Sequence, residues 1–344
     1  MGDRFLRACR REPVDCTPVW FMRQAGRYLA EYQAVRAGHS ILEVCKTPGL
    51  AVEVTLQPVR RFAVDAAIIF ADILLPLEPM GLALSFESGE GPVIANPVRT
   101  AADISALRPV DPDDGLGFVL ESIRQTRAAL AGEVPLIGFA GAPFTLASYA
   151  IEGGGSRNYV ETKRLMYSDP ETWHGLMGRL AEAVTAFLRA QVVAGAQAVQ
   201  LFDSWVGALS PDDYAEYAYP YSQRIFRSLA DCGVPRIHFG TGATTLLPLM
   251  ANAGCDVVGL DWRVHLDEGW AHAGHDKAVQ GNLDPVVLFA PEHEIERRVL
   301  DIVKRADGRP GHIFNLGHGI LPGTPPEAVG LVADLVHRAT RRSL

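Results

Sequence analysis

No apolar run in this chain is long enough to cross a bilayer: the longest, around 62–84, is broken by Asp65, Asp72, Pro76 and Glu78, whereas a spanning helix needs about 20 mostly apolar residues. The first thirteen residues are charged and have no apolar centre, so neither a secretory signal nor a membrane anchor is expected; Arg10-Arg11 lacks the apolar region of a twin-arginine signal. Cysteine is scarce. Cys9, Cys16, Cys45, Cys232 and Cys255 are odd in number and form no C-x-x-C pair, which argues against a disulfide framework or a zinc motif and fits free thiols in a reducing cytoplasm. Positive charge is in deficit, with 32 Lys and Arg against 40 Asp and Glu and a net charge of −8. That balance argues against nucleic acid and anionic membrane as partners. Lysine is rare as well, limited to Lys46, Lys163, Lys277 and Lys304. With arginine so abundant, only its placement carries meaning.

What is present is a repeating alternation. Short β-leaning runs occur at 19–22, 66–70, 134–139, 198–202, 236–239, 256–260, 278–280 and 312–315, separated by amphipathic segments such as 169–194, 210–231, 292–306 and 325–341. Eight strand-then-helix units predict an α/β fold, a (β/α)8 TIM-type barrel in which residues 1–344 form one domain. The Gly- and Pro-rich stretch 82–98 reads as a hairpin or loop inserted after the second strand.

In such barrels the active site lies at the carboxyl ends of the strands. Polar or small residues follow each predicted strand: Arg23 and Arg27, Asp72, Gly141-Ala142-Pro143, Asp203-Ser204, Thr241, Asp261, Asn282 and His318. The arginine pair is separated by Gly26, which could take a positive φ or admit a ligand closely. Arginine's planar fork binds carboxylate or phosphate bidentately, although Arg27 could equally form a surface i,i+4 pair with Glu31. Asp72 is an acid among apolar residues, suited either to capping the next element or to binding N–H donors and cations. The run 141–156 reads as a helical turn leading into a mobile glycine loop; it has no P-loop ending and no G-x-G-x-x-G fingerprint. Ser204 lacks a G-x-S-x-G elbow, so hydrogen bonding suits it better than nucleophilic attack. His318 lies between Gly317 and Gly319, which would let a ligand approach, or it is satisfied within a turn.

The blocks PVWFMRQAGRYL (18–29), FADIL (70–74), GAPFTLASYAIEGGGS (141–156), FDSWVG (202–207), GLDW (259–262), QGNLDP (280–285) and NLGHGI (315–320), in this order along nearly the whole chain, resemble the uroporphyrinogen decarboxylase family. The resemblance implies a cytoplasmic homodimer that uses no cofactor or metal and converts the four acetates of uroporphyrinogen III to methyls, giving coproporphyrinogen III and four CO2. Carried over by motif, substrate contacts fall on Arg23, Gln24, Ala25, Gly26, Arg27, Asp72, Tyr149, Ser204 and His318, with Arg36 as a further contributor and Asp72, Arg23 and Arg27 as the catalytic set. Protonation of a pyrrole carbon would supply the electron sink, and Asp72 would stabilise the resulting cation. Arginine is a poor general acid near neutral pH, so the residues leave the proton donor open. Three alternatives use the same barrel: a zinc-dependent corrinoid or thiol methyltransferase, for which His238-Phe239-Gly240 lacks the cysteine of an H-x-C pair; a phosphosugar enzyme; and a non-catalytic tetrapyrrole-binding protein.

Overall fold

The computed structural model describes residues 2–87 and 91–342. Seven parallel strands form one curled sheet in chain order: β1 (Ala67–Ile68), β4 (Leu136–Gly141), β5 (Ala198–Asp203), β6 (Arg236–Gly240), β7 (Val257–Gly259), β8 (Ala278–Gln280) and β9 (His312–Ile313). Helices cover the outside, so the strands are buried on both faces and read as nearly unbroken apolar runs; every residue of β4 is buried. The remaining strands, β2 (Leu84–Glu87) and β3 (Gly91–Ile94), pair antiparallel within the 82–98 insertion. Residues 88–90, between them, lie outside the described residues. Among the described residues no helix is long and apolar enough to cross a membrane.

The helices follow local chemistry. Pro170–Ala194 begins where the Asp169 side chain accepts the Thr172 N–H at 3.1 Å, with Pro170 in the first turn, where its missing N–H costs nothing, and it stops at Gly195, whose φ is 121°. One expectation needs correction. The segment 210–231 is not one helix but Pro211–Tyr217 followed by Tyr219–Ser228, because Pro220 has no N–H to continue the ladder. At the break, the carbonyl of Tyr217 accepts the Trp173 indole N–H at 3.0 Å.

The first predicted strand, 19–22, also differs. It forms a single parallel bridge, Val19 to Phe314, rather than a ladder. Towards β9, Phe314 donates to Pro18 O (2.8 Å) and Trp20 to Phe314 O (3.3 Å); towards β1, Asp65 N–H donates to Val19 O at 2.7 Å. Beyond these, side chains stand in for backbone. Val19 N–H donates to Asp65 Oδ2 (2.7 Å), Phe21 N–H to Gln24 Oε1 (3.0 Å) and Met22 N–H to Asn315 Oδ1 (2.9 Å). The Gln24 amide then donates to Ala66 O at 2.9 Å. Across the interior the Trp20 indole donates to Gln280, whose amide donates to Gln200. The first stave is thus held by side chains at three of its N–H groups, together with backbone bonds that include Ile320 N–H to Met22 O at 2.8 Å.

Asp65 is the central stitch. Besides Val19 N–H it takes His337 Nε2 at 2.7 Å and pairs with Arg4, whose fork also grips Asp15. One carboxylate therefore joins the amino-terminal helix Arg4–Cys9, the first stave, and the carboxyl-terminal helix Pro326–Thr340.

Two measurements check this closure. Asp65→Ala leaves Arg4 and the Val19 N–H short of a buried acceptor, and should cost on the order of 3–5 kcal/mol in urea unfolding; Asp65→Asn, which keeps an acceptor, should cost less. A loss as small as that of an ordinary surface substitution would contradict it. Acid stability follows from two further groups. Burial lowers the His312 pKa from 6.5 to about 4, so the unfolded chain takes that proton first and stability should fall as pH drops from 6.5 to 4. The hydrogen bond to Arg4 lowers Asp15 from 3.8 to about 2, so its contribution, full above its unfolded value, should disappear between those pH values.

Candidate active site

Met22 and Gln24 are both drawn inward, and the residue between them must point out. Arg23 does so with φ at +60°, left-handed for a long side chain, a conformation that costs roughly 1–3 kcal/mol and persists only where the surroundings dictate it. Gly26, which the sequence left free to take a positive φ or to admit a ligand, does not take one; the positive φ falls at Arg23. Arg23 is exposed, and among the described residues its guanidinium has no hydrogen bond or ion pair. Its stem lies across Gly319: a Cβ there would come within 2.4 Å of Arg23 Cδ and 3.0 Å of Nε. Gly317 is filled likewise, because its Cβ would fall 2.4 Å from the Trp262 nitrogen. The glycines flanking His318 therefore admit protein, not the ligand that the sequence suggested.

Around Arg23 stand groups from distant parts of the chain. Asp72 follows β1 and is half-buried. Its Oδ1 accepts the Leu74 N–H at 2.9 Å, which is the local capping role, while Oδ2 has no partner among the described residues. Burial raises the Asp72 pKa, opposed by the Leu74 N–H and by the charge of Arg23. Tyr149, on the helix Pro143–Glu152 after β4, has its hydroxyl pKa raised by burial and by Asp72, with Arg23 acting against them. His318 follows β9. Its Nδ1 accepts the Gly319 N–H at 2.7 Å, which leaves the proton on Nε2 in the neutral ring, and burial together with Arg23 and Arg263 lowers its pKa to about 4. Arg23 thus bears on Asp72, Tyr149 and His318, which follow three different strands.

Ser204 follows β5, with its carbonyl accepting the Thr241 hydroxyl. The next residue, Trp205, packs on Tyr149 with ring centroids 5.9 Å apart. Arg27 is exposed and is not tied up by Glu31, which pairs with Arg61 at 2.9 Å. The surface pair offered by the sequence is absent. Arg27 and Arg36 both act on Tyr32, which packs on Phe70; Arg36 donates to the His39 carbonyl, and it and Asp72 both act on Cys45. Gln24, Ala25 and Gly26 do not line an open mouth. All three are buried, and the Gln24 side chain is consumed in holding the first stave.

The glycine loop after Tyr149 is fastened rather than loose: Gly153 O accepts the Ile94 N–H at 2.8 Å, and Gly154 bridges Val93 of the inserted hairpin. Arg263 went unnoticed in the sequence. It lies 4.0 Å from the Trp262 ring centroid, pairs with Asp261 at 2.7 Å and acts on His318. Its position just after the GLDW block, two residues beyond a post-strand acid, was the available signal. A cavity of about 400 Å³ opens among the residues that begin the strands, lined by Arg10, Arg236, Asp256 and Lys277 among others. There Arg236 pairs with Asp256 at 3.0 Å and Lys277 donates to a carbonyl, so most of its charge is already used.

Residues 2–339 match the family model described as "Uroporphyrinogen decarboxylase (URO-D)". The chain is 60% identical over 344 residues to the uroporphyrinogen decarboxylase of Sorangium cellulosum, covering 100% of this chain and 98% of that protein. It is 58% identical over 343 residues to that of Carboxydothermus hydrogenoformans, with the same coverage. Among solved structures, a methyltransferase from Methanosarcina mazei superposes with a TM-score of 0.83 over 97% of each chain at 20% identity, a likeness of fold alone. A barrel with free arginines and a half-buried aspartate at its mouth, matched end to end by these relatives, belongs to the uroporphyrinogen decarboxylase family.

Proposed function

We propose that the chain decarboxylates the four acetate side chains of uroporphyrinogen III, each losing CO2 and gaining a proton to become methyl, so that coproporphyrinogen III and four CO2 result. The observation that carries the reading is the grouping of Arg23, Asp72, Tyr149 and His318 at one mouth, with Arg23 unpaired and one Asp72 oxygen free among the described residues. Loss of CO2 leaves an electron pair on the former acetate carbon, and a protonated pyrrole can accept it. The Asp72 carboxylate accepts pyrrole N–H bonds and stabilises that cation. Arg23 and Arg27 bind substrate carboxylates, Arg36 contributes from beside Tyr32, and neutral His318 offers its Nε2–H as a donor. Ser204 and Tyr149 orient the substrate. Gln24, Ala25 and Gly26 act by shaping the arginine turn.

A zinc methyltransferase finds less support. Among the described residues no three His, Cys, Asp or Glu side chains are grouped as metal ligands, and His238 is turned inward against Phe226. The same reading includes a cytoplasmic homodimer. The unpaired state of all five cysteines accords with that compartment. Exposed Val286, Phe289 and Leu321 accord with self-association, which sedimentation would measure.

Anaerobic incubation with uroporphyrinogen III should release CO2 and yield coproporphyrinogen III; binding without CO2 release would leave only a carrier. Asp72→Asn should lower kcat by roughly 10² to 10³ while product binding persists, and turnover within a few-fold of the parent would remove Asp72 from the chemistry. Because the carboxylate form is the active one and burial raises its pKa, kcat should fall on the acid side through a pKa above that of an ordinary aspartate. His318, with its pKa near 4, should add no limb near pH 6.5. Gly319→Ala pushes the Arg23 stem aside rather than any backbone, so kcat/KM should fall by about 10- to 100-fold with little change in Tm.

A further inference from the structure

Behind the mouth lies a second polar group that the chemistry above does not use. Asp203, the last residue of β5, is fully buried; its Oδ1 accepts the Thr145 hydroxyl at 3.0 Å. Thr145 Oγ1 in turn accepts the Trp205 N–H at 3.3 Å. One hydroxyl therefore ties the end of β5, which carries Ser204 and Trp205, to the helix Pro143–Glu152, where Tyr149 stands one turn beyond Thr145 on the same face. On its other side Asp203 Oδ2 lies 3.9 Å from His238 Nε2, and both atoms are buried without a hydrogen-bond partner.

We infer that Asp203 and Thr145 are positioning residues, which fix Ser204 and Tyr149 relative to one another through the shared hydroxyl. The inference rests on the decarboxylase reading, since Ser204 and Tyr149 matter only if they orient substrate. The hydroxyl of Thr145 is the group to remove. Its two bonds are side chain to side chain and backbone to side chain, so neither strand nor helix needs it to form.

The test is a double-mutant cycle on the full chain, with uroporphyrinogen III as substrate. Turnover by the unaltered chain establishes the reading first; without it the reading itself fails, whatever the variants do. Thr145→Val keeps the branched shape and removes the hydroxyl, and should lower kcat/KM about tenfold. In a Tyr149→Phe, Ser204→Ala background the same change should cost less than about twofold, because the positioned groups are already gone. An equal loss in both backgrounds would mark a merely structural role, and no loss in the parent would end the proposal. Should Thr145→Val fail to fold, Thr145→Ser and Thr145→Ala differ only in the hydroxyl. Ser should retain activity within about threefold and Ala should not; equal activity of the two would overturn the inference.

Discussion

The Asp65 carboxylate is the constraint on which the rest of the molecule leans. A parallel barrel is closed when its first stave pairs on both edges, and here that stave begins at Pro18, which has no N–H, and is bridged only at Val19. Asp65 takes the Val19 N–H while its own N–H returns to the Val19 carbonyl, and the same side chain reaches Arg4 and His337 from the two ends of the chain. With the stave pinned there, Gln24 and Asn315 can take over the N–H groups of Phe21 and Met22. Those bonds leave Arg23 no direction but outward. The left-handed backbone at Arg23 is thus sustained by contacts deeper in the barrel.

At the mouth the electrostatics are set by what is left unpaired. The chain carries a net charge of −8, yet Arg23 and Arg27 have no acidic partner among the described residues, since Glu31 is engaged by Arg61. A local field of positive sign on an acidic protein suits a ligand with several carboxylates and discourages indiscriminate anion binding. Asp72 sits against this field in a half-buried position. Burial opposes its ionisation most strongly, while the Leu74 N–H and Arg23 favour it.

Much of this was legible in the chain. The strand ends could be read from short apolar runs followed at once by Arg23, Asp72, Ser204 and His318, because parallel strands buried on both faces must be apolar and their ends must not be. The helix starting at Asp169 was legible because its cap, Pro170 and terminal Gly195 are local signals. Less legible was whatever depends on a distant neighbour. Gly317 and Gly319 read as space for a ligand, but the Trp262 backbone and the Arg23 stem fill that space. Arg27 and Glu31 read as a pair until Arg61, 30 residues away, claimed the acid. The loop at Gly153 and Gly154 read as mobile because the hairpin edge that holds it lies far back in the sequence.

The sequence by itself determined the class of fold, the order of the staves and which residue types come to the open end, since these follow from periodicity, caps and strand punctuation, all of which act over a few residues. Tertiary structure decided which of those residues are free to meet a ligand. Gln24 was adjacent to Arg23 in the chain yet went to the core, and Arg23 to the mouth, because a buried amide must find donors and acceptors while an arginine can face water. It likewise decided that Thr145 joins Asp203 across 58 residues. Pairings of that kind are set by the closure of the barrel, and no local pattern encodes them.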